Sequence, residues 1–321
     1  MKILANDGIS AEGRQSLEAA GYTVITDNVK QEELIDYINS ENIEVLLVRS
    51  ATTARKELVD ACPNLKLIGR GGVGMDNIDV DYARSKGIKV INTPGASSQS
   101  VAELVMGQLF AIARSLHDSF RYMPTCENGQ FSTLKKKYAK GIELRGKTLI
   151  IVGFGRIGQA LAGYAIGAGM KVIAVDHHTN PIAIKIPIIG LDNLSVELTP
   201  VNNLASVLPE ADFISVHVPK QTNGDAVFSK KEFDLMKTGV RLVNAARGGV
   251  IDEPALIEAL NSGKVASVAL DVFENEPTPW TELLKHERIA CTPHIGAATV
   301  EAQDRIGLEL ADQIVAEFGK K

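Results

Sequence analysis

Short runs of apolar residues alternate with segments of helical period through the first ninety positions of the chain. The segments between the runs, such as residues 31–39 and 80–86, have the spacing of helices. After a first short strand at residues 1–5, the predicted strands are Thr23–Thr26, Glu44–Val48, Leu65–Gly69 and Lys89–Asn92. Residues 45–48 are apolar throughout, which is typical of a strand in a parallel sheet with helices on both faces.

A long, weakly charged segment follows and predicts one continuous helix from Ser97 to about Met123. The hydroxyl of Ser97 or Ser98 is of the kind that caps the start of a helix. Residues 127–143 have no clear period and contain the basic run Lys135–Lys137. They are therefore predicted to form an irregular linker into a second domain.

The alternation of strands and helices resumes at Lys147. The predicted strands here are Thr148–Val152, Lys171–Val175, Phe213–His217, Val240–Asn244 and Ala266–Asp271. Residues 298–318 carry apolar side chains four positions apart among charged ones, which predicts an amphipathic helix. The whole pattern predicts an α/β protein with two doubly wound parallel-sheet domains.

Composition agrees with two domains and narrows the class of partner. The 321 residues suffice for about two domains, and the net charge of −5 comes without a long basic block. We therefore expect small molecules or other proteins as partners rather than nucleic acid or a membrane surface. Cys62, Cys126 and Cys291 lie far apart and outside any zinc-ligand pattern, so no metal site is predicted. No secretion signal or bilayer-spanning run is visible, which favours a soluble, cytoplasmic protein.

The first motif with chemical content is a glycine-rich turn after an apolar strand. Gly153, Gly155 and Gly158 have the G-x-G-x-x-G spacing, in which the glycines allow a tight turn, close approach to a pyrophosphate and close helix packing. Asp176 ends the next strand, 18 positions beyond Gly158, near the place of the carboxylate that binds a ribose 2′-hydroxyl. The motif favours NAD over NADP. An ordinary strand-to-helix turn is the alternative, and His177 and His178 weaken the cofactor preference slightly.

Three further polar residues follow predicted strands. Arg247, Glu276 and His294 come after the strands at 240–243, 266–270 and 289–291. Each residue alone is compatible with an ordinary surface or turn position. Because ligands bind at the carboxyl ends of strands in open α/β sheets, the three together with the glycine turn supply the parts for hydride chemistry at a carbonyl.

These segments resemble the D-isomer-specific 2-hydroxyacid dehydrogenase family over nearly the whole chain. The segments that carry the resemblance are residues 152–158, 244–248, 269–277 and 292–296, in that order. Within the family, residues 48–52, 69–79, 92–95 and 100–103 are similar to segments of the members that act on D-3-phosphoglycerate. The resemblance implies NAD-dependent oxidation of D-3-phosphoglycerate to 3-phosphohydroxypyruvate, the first step of serine biosynthesis, and the reverse reduction.

The resemblance also implies roles for individual residues. Arg247 matches the arginine that anchors the 2-keto carboxylate, His294 the general acid/base, and Glu276 the carboxylate that favours the imidazolium form of that histidine. Asp271 resembles the residue that holds the nicotinamide carboxamide. The implied cofactor-binding set is Gly153, Phe154, Gly155, Arg156, Ile157, Gly158, Asp176, His217, Val218, Pro219, Thr222, Ala245, Arg247, Asp271, His294 and Gly296.

A phosphorylated substrate brings a second anion and therefore needs cations besides Arg247. Arg49 and Arg70 lie at predicted strand ends in the first domain, and the glycines near Arg70 offer backbone N–H groups. The predicted substrate-binding set is Arg49, Arg70, Gly72, Val73, Gly74, Arg247 and His294. Salt-bridged surface arginines remain the alternative for Arg49 and Arg70, and Lys135–Lys137 either add a cation or form a solvated linker.

The resemblance further implies a Rossmann NAD-binding domain at residues 98–294, inserted in a flavodoxin-like substrate domain made of residues 1–97 and 295–321. It implies a homodimer formed with the long helix, and a short type without a C-terminal regulatory domain. Two alternatives to the phosphorylated substrate stay open. One is an unphosphorylated acid such as D-lactate, glycerate or glyoxylate/hydroxypyruvate, and the other is a non-catalytic NAD-sensing module like the corepressors that share this fold.

Overall fold

A computed structural model describes residues 1–186, 188–191 and 193–321, and these separate into two units. Unit 1 consists of Met1–Ser100 and Ala297–Lys321, and unit 2 of Val101–Gly296. The family resemblance places the corresponding boundaries after residues 97 and 294. Helices are numbered α1 to α13 and strands β1 to β13 along the chain.

Unit 1 is built on a five-stranded parallel sheet with the order β2-β1-β3-β4-β5, the order of flavodoxin-like folds. Its strands are β1 Lys2–Ala5, β2 Thr23–Ile25, β3 Val45–Val48, β4 Leu67–Arg70 and β5 Lys89–Asn92. Its helices are α1 Ala11–Ala19, α2 Leu34–Ser40, α3 Lys56–Ala61, α4 Val80–Ser85 and the terminal α13 Val300–Phe318. All four residues of β3 are buried, as expected for a central strand covered on both faces.

The terminal helix α13 returns to the sheet of unit 1. Ile306, Leu310 and Ile314 are buried in the same apolar cluster as Ile3 and Leu67, which confirms the predicted amphipathic helix. Gly13 of α1 and Gly307 of α13 pack against each other, since a Cβ on Gly13 would lie 2.6 Å from the Gly307 backbone. Although α13 has 19 residues, neither it nor any other helix in the described ranges is long and apolar enough to cross a membrane.

Unit 2 is built on a six-stranded parallel sheet with the order β13-β12-β11-β10-β6-β7. Its strands are β6 Thr148–Val152, β7 Lys171–Val175, β10 Phe213–Val216, β11 Val240–Asn244, β12 Val265–Leu270 and β13 Ile289–Cys291. An antiparallel hairpin, β8 Ile182–Lys185 and β9 Ser195–Leu198, was not predicted. The helices are α5 Ser98–Arg114, whose first three residues belong to unit 1, α6 Leu116–Tyr122, α7 Phe131–Lys137, α8 Arg156–Gly167, α9 Leu204–Val207, α10 Lys230–Leu235, α11 Glu253–Asn261 and α12 Thr281–Lys285. The predicted α/β class with two parallel sheets is confirmed.

Two predictions for residues 97–143 are wrong. The predicted continuous helix is broken at Ser115, whose φ of 53° is left-handed and cannot continue a helix. Residues 127–143 are not a linker between the units, because they contain α7 and lie inside unit 2. The buried Asp118 of α6 explains the second error, since it accepts from Lys137 at 2.7 Å and from the hydroxyl of Tyr138 at 2.9 Å. These long-range contacts leave no mark in the local pattern.

Candidate active site

The glycine turn joins β6 to α8 at the point where the strand order of unit 2 reverses. Gly153 has a φ of 91°, and a Cβ there would lie 2.6 Å from the carbonyl oxygen of His217 after β10. A Cβ on Gly158 would overlap the carbonyl oxygen of Gly153, so this glycine allows α8 to approach the turn. Gly155 faces open space, with nothing within 4 Å of a Cβ position. The turn therefore exposes the N-terminus of α8, whose first N–H groups have no partners within the helix.

The carboxylate of Asp176 lies beside this turn. It accepts from the backbone N–H of Phe154 at 2.7 Å and from that of His178 at 3.0 Å. Partial burial acts to raise the pKa of Asp176, but the two N–H groups outweigh it and hold the pKa below its usual value. The group is thus a carboxylate near neutral pH, fixed at the edge of the crevice.

The opposite wall of the crevice is formed by His217, at the carboxyl end of β10. Its Nε2 lies 2.8 Å from the hydroxyl of Ser215, while its Nδ1 is buried without a hydrogen-bond partner among the described residues. Burial lowers the pKa of His217 to about 4, so the ring is neutral at physiological pH. Val218, the next residue, is half-buried, and Pro219 and Thr222 follow on the exposed loop.

The loop after β11 carries Arg247 and is held by its own side chains. Asn244 donates to the carbonyl oxygen of Arg247 at 2.9 Å and accepts from the N–H of Ala246 at 3.0 Å. A Cβ on the next residue, Gly248, would overlap the carbonyl of Phe273. The loops after β11 and β12 are therefore packed backbone to backbone, and only glycine fits between them.

His294 and Glu276 form a direct pair in unit 2. Nδ1 of His294 lies 2.7 Å from Oε2 of Glu276, and Oε1 of Glu276 accepts from the N–H of Phe273 at 3.0 Å. Because a carboxylate can only accept, Nδ1 carries the proton in this bond and Nε2 is the ring nitrogen left for exchange. Both side chains are more than one-third exposed, so a ligand can reach them.

Asp271 is buried beneath the His294 loop. Its Oδ1 accepts from the hydroxyl of Thr292 at 2.6 Å and the N–H of Ile295 at 2.9 Å, and its Oδ2 accepts from the N–H of Gly296 at 2.8 Å. These bonds flank His294, which has a left-handed φ of 53°. The fixed loop can therefore hold an otherwise unfavourable backbone conformation at the candidate acid/base residue.

The predicted substrate residues of unit 1 lie at the carboxyl ends of neighbouring strands. Arg49 follows β3 and Arg70 ends β4, and both are half-buried. The guanidinium of Arg49 has no hydrogen bond or ion pair to any other described residue. Gly72 has a φ of 144°, and a Cβ there would overlap the Arg70 guanidinium. Val73 is exposed, Gly74 is half-buried, and Asn92 donates to the carbonyl of Val73 at 2.7 Å.

The structure adds residues that the sequence did not single out. In unit 2, Gln108 donates to the hydroxyl of Thr292 at 3.1 Å, and Thr292 donates in turn to Asp271. In unit 1, Asp7 and Asn77 contact the backbone around Arg49. The position of Asp7, two residues after β1, was the available signal, because that strand end borders a reversal of strand order. The Lys135–Lys137 run ends α7, and Lys137 is paired with Asp118.

The residues at the crevice of unit 2 fit a dinucleotide. Gly155 leaves the space that a pyrophosphate requires at the start of α8. Asp176 keeps lone pairs that can accept from a ribose diol, and its negative charge disfavours a 2′-phosphate. Arg156 and Ile157 open α8, and Ala245 and Gly296 lie on the loops that follow β11 and β13.

Comparison with known proteins gives a family match over most of unit 2. Residues 106–296 match the family described as "D-isomer specific 2-hydroxyacid dehydrogenase, NAD binding domain". A solved structure of D-lactate dehydrogenase from Aquifex aeolicus, complexed with NAD and lactic acid, is 28% identical with a TM-score of 0.75. It matches 99% of this chain and 95% of its own.

Two curated relatives are similar along almost the whole chain. Hydroxypyruvate reductase of Thermotoga maritima is 42% identical over 99% of this chain and 98% of its own length. D-3-phosphoglycerate dehydrogenase of Methanocaldococcus jannaschii is 40% identical over 98% of this chain. The chain spans only 57% of the length of that second relative.

Proposed function

Because the chain belongs to the D-isomer specific 2-hydroxyacid dehydrogenase family and is an NAD-dependent oxidoreductase, we propose that its substrate is D-3-phosphoglycerate. The reaction would be oxidation to 3-phosphohydroxypyruvate and the reverse reduction. The relative from Methanocaldococcus jannaschii supports this substrate by its name. The single observation that carries the proposal is the state of Arg49 in unit 1.

Arg49 is a half-buried cation, and among the described residues no anion is bonded to its guanidinium. Burial lowers the pKa of its guanidinium below the ordinary value, and the neighbouring Asp7 carboxylate opposes part of that change. A buried charge is costly unless it is paired, so this position favours an anionic ligand. Arg70 ends β4, the strand adjacent to β3, and in the sheet register it pairs with Val48, the residue before Arg49. Two guanidinium groups at one sheet edge suit a phosphate dianion better than a neutral hydroxyl group.

The residues of unit 2 would carry the chemical step. NADH, when bound by the crevice residues of unit 2, would supply the hydride for reduction of the keto acid. We assign carboxylate binding to Arg247, whose planar guanidinium can bind both carboxylate oxygens. His294 would deliver its Nε2 proton to the carbonyl oxygen, and in the oxidative direction the neutral ring would take that proton back. Glu276 would hold Nδ1 and stabilise the charged ring through the 2.7 Å contact.

The substrate assignment is tested by comparing NADH oxidation with 3-phosphohydroxypyruvate, hydroxypyruvate and pyruvate. We expect kcat/KM to be highest for the phosphorylated acid. Arg49→Ala and Arg70→Ala should each lower kcat/KM for that acid by about 10–150-fold, the range of a charge-assisted hydrogen bond worth ~1.5–3 kcal/mol. The values for pyruvate should change little. Equal turnover of the unphosphorylated acids by the wild type would contradict the phosphate assignment.

Hydroxypyruvate is the second candidate substrate, because the Thermotoga maritima relative of that name matches over nearly its full length. It has a hydroxyl where the first candidate has a phosphate. If hydroxypyruvate is the substrate, its kcat/KM exceeds that of the phosphorylated acid, and Arg49→Ala affects both acids alike. The same three-substrate comparison therefore decides between the two candidates.

The proposal extends to the setting of the enzyme: a cytoplasmic homodimer that acts in serine biosynthesis. Phe110, Phe120 and Phe131 of α5, α6 and α7 are 47%, 70% and 61% exposed, which is unusual for aromatic side chains and supports an interface there. Light scattering of the purified protein should give twice the 34.4 kDa chain mass. A monomer at micromolar concentration would contradict the dimer.

A further inference from the structure

The sheet of unit 1 reverses its strand order between β1 and β3, where β1 has β2 on one side and β3 on the other. Such a reversal opens a crevice at the carboxyl ends of the two strands, where α/β proteins bind ligands. Asp7 follows β1 and Arg49 follows β3, so both lie at this crevice. The cation that we assign to the substrate is therefore next to the carboxylate of Asp7.

Asp7 binds both ends of the turn formed by residues 49–52. Its Oδ2 accepts from the N–H of Arg49 at 2.6 Å and from the N–H of Thr52 at 3.1 Å. Its Oδ1 accepts from the hydroxyl of Thr52 at 2.6 Å. Thr52 is buried, and its hydroxyl also accepts from the side chain of Asn6 at 2.8 Å. One carboxylate thus fixes the N–H groups at the two ends of the turn.

Asn77 binds the same two residues from their carbonyl side. Its Nδ2 donates to the carbonyl oxygen of Arg49 at 2.8 Å and to that of Thr52 at 2.6 Å. The backbone around Arg49 is therefore held at four polar groups by two side chains. In the sequence, Asp7 lies 42 or more positions from the residues it holds, and Asn77 lies 25 or more. Ser50 and Ala51, between the held residues, are exposed.

We propose that Asp7 is a positioning residue that, together with Asn77, sets where the guanidinium of Arg49 meets the anionic end of the substrate. Its carboxylate fixes the backbone of Arg49 and stabilises the half-buried cation, and it does not itself contact substrate. This proposal rests on the proposed function, since it requires Arg49 to bind the substrate anion. It adds a residue whose effect on substrate binding passes entirely through another residue.

The test compares Asp7→Asn, Asn77→Ala, Arg49→Ala and the double variant Asp7→Asn/Arg49→Ala. The asparagine keeps the shape and one acceptor oxygen of Asp7 but removes its charge. Asp7→Asn should raise KM for 3-phosphohydroxypyruvate about tenfold, the size of a net hydrogen bond to a charged group, with little change in kcat or in KM for NADH. Asn77→Ala should raise the same KM by a smaller factor. In the Arg49→Ala background, Asp7→Asn should add nothing.

Asp212→Asn is the matched control. Asp212 is also half-buried and also accepts from a backbone N–H, that of Thr148 at 2.9 Å, but it lies at the amino edge of the sheet in unit 2. It should leave KM for the keto acid unchanged. If Asp7→Asn behaves like this control, or if its effect multiplies with that of Arg49→Ala, the positioning role is overturned. If Arg49→Ala itself leaves KM unchanged for every acid, it is the proposed function of Arg49 that fails.

A general loss of structure gives a different result and is also measured. The melting temperature and the NADH dissociation constant of Asp7→Asn should match those of the wild type within the spread shown by the control. A variant that loses NADH binding together with keto-acid binding would assign Asp7 to stability and would overturn the positioning role. Asn77→Ala then serves as the second variant, because it disturbs the same turn without removing a charge.

Discussion

The two sheets reverse their strand order in the same way, but they present different groups at the reversal. In unit 2, between β6 and β10, the crevice is lined by glycine backbone, an open helix N-terminus and a fixed carboxylate. In unit 1, between β1 and β3, it is lined by the side chains of Asp7 and Arg49. One unit offers mainly backbone groups and the other mainly side chains at equivalent places in the topology.

This difference suits two kinds of ligand. The phosphates and ribose of a dinucleotide do not vary, so backbone N–H groups and glycine space can serve them in any member of a family. A side chain such as Arg49 can be replaced without changing the strand or the turn. The contrast therefore predicts that variants in unit 2 alter turnover and cofactor binding, whereas variants at the crevice of unit 1 alter the choice of keto acid.

The largest effect is expected from His294→Ala. Loss of a general acid/base should lower kcat by about 10²–10⁴-fold. NADH binding, followed by the fluorescence of the bound cofactor, should remain within a few-fold of the wild type, because the glycine turn is untouched. A wild-type rate in this variant would remove His294 from the mechanism and would break the assignment of chemistry to unit 2.

The next largest effect concerns the pH dependence of the stability of unit 2, because all six histidines of the chain lie there. The pKa of His217 is lowered to about 4 by burial, whereas an unfolded histidine titrates near 6.5. As the pH falls, the histidine of the unfolded chain takes up a proton while the folded ring stays neutral. The contribution of the buried ring to stability is therefore present above pH 6.5 and is lost as the pH falls toward 4. The loss should reach about 2 kcal/mol at pH 5 and about 3 kcal/mol at pH 4.

His217→Asn removes this titration. Urea unfolding, followed by the fluorescence of Trp280, the only tryptophan of the chain, reports on unit 2. Between pH 7.5 and 5 the wild type should lose about 2 kcal/mol more unfolding free energy than His217→Asn does. Identical pH dependence of the two proteins would show that the ring gains a partner or solvent in solution.

The smallest effect is expected from Asp176→Asn. The amide keeps an acceptor for the N–H of Phe154 but loses the charge that disfavours a 2′-phosphate. The ratio of kcat/KM for NADH over NADPH should fall about tenfold, in line with one charge-assisted hydrogen bond. Arg49→Ala, in unit 1, should leave this ratio unchanged. A change of cofactor preference in Arg49→Ala would contradict the division between the two crevices.

Much of unit 2 could be predicted from the sequence because its signals are local. The glycine turn follows its strand directly, Asp176 comes immediately after the next strand, and β6 is buried throughout. The strand ends predicted that Glu276 and His294 share one edge of the sheet, whereas their direct pairing at 2.7 Å was implied by the family resemblance. The roles of these residues remain predictions, while their placement is now described.

The features that were missed depend on contacts between distant positions. The helix α7 is held against α6 through Asp118, which meets Lys137 and Tyr138 across about twenty residues. Asp7 meets Arg49 across 42 residues, and in the sequence it looks like part of an ordinary Asn-Asp-Gly turn. Hydrophobic periodicity carries no information about such pairs, so they become visible only in three dimensions.

The return of α13 to unit 1 has a consequence for synthesis on the ribosome. Unit 2 lies between the two pieces of unit 1, so its residues are complete while α13 is still to be made. Until then, the apolar side of the first sheet that later receives Ile306, Leu310 and Ile314 stays uncovered. Unit 1 should therefore be completed only after unit 2 has been made, and a released chain that ends at residue 299 should bind NADH while its N-terminal sheet exposes the apolar surface that α13 normally covers.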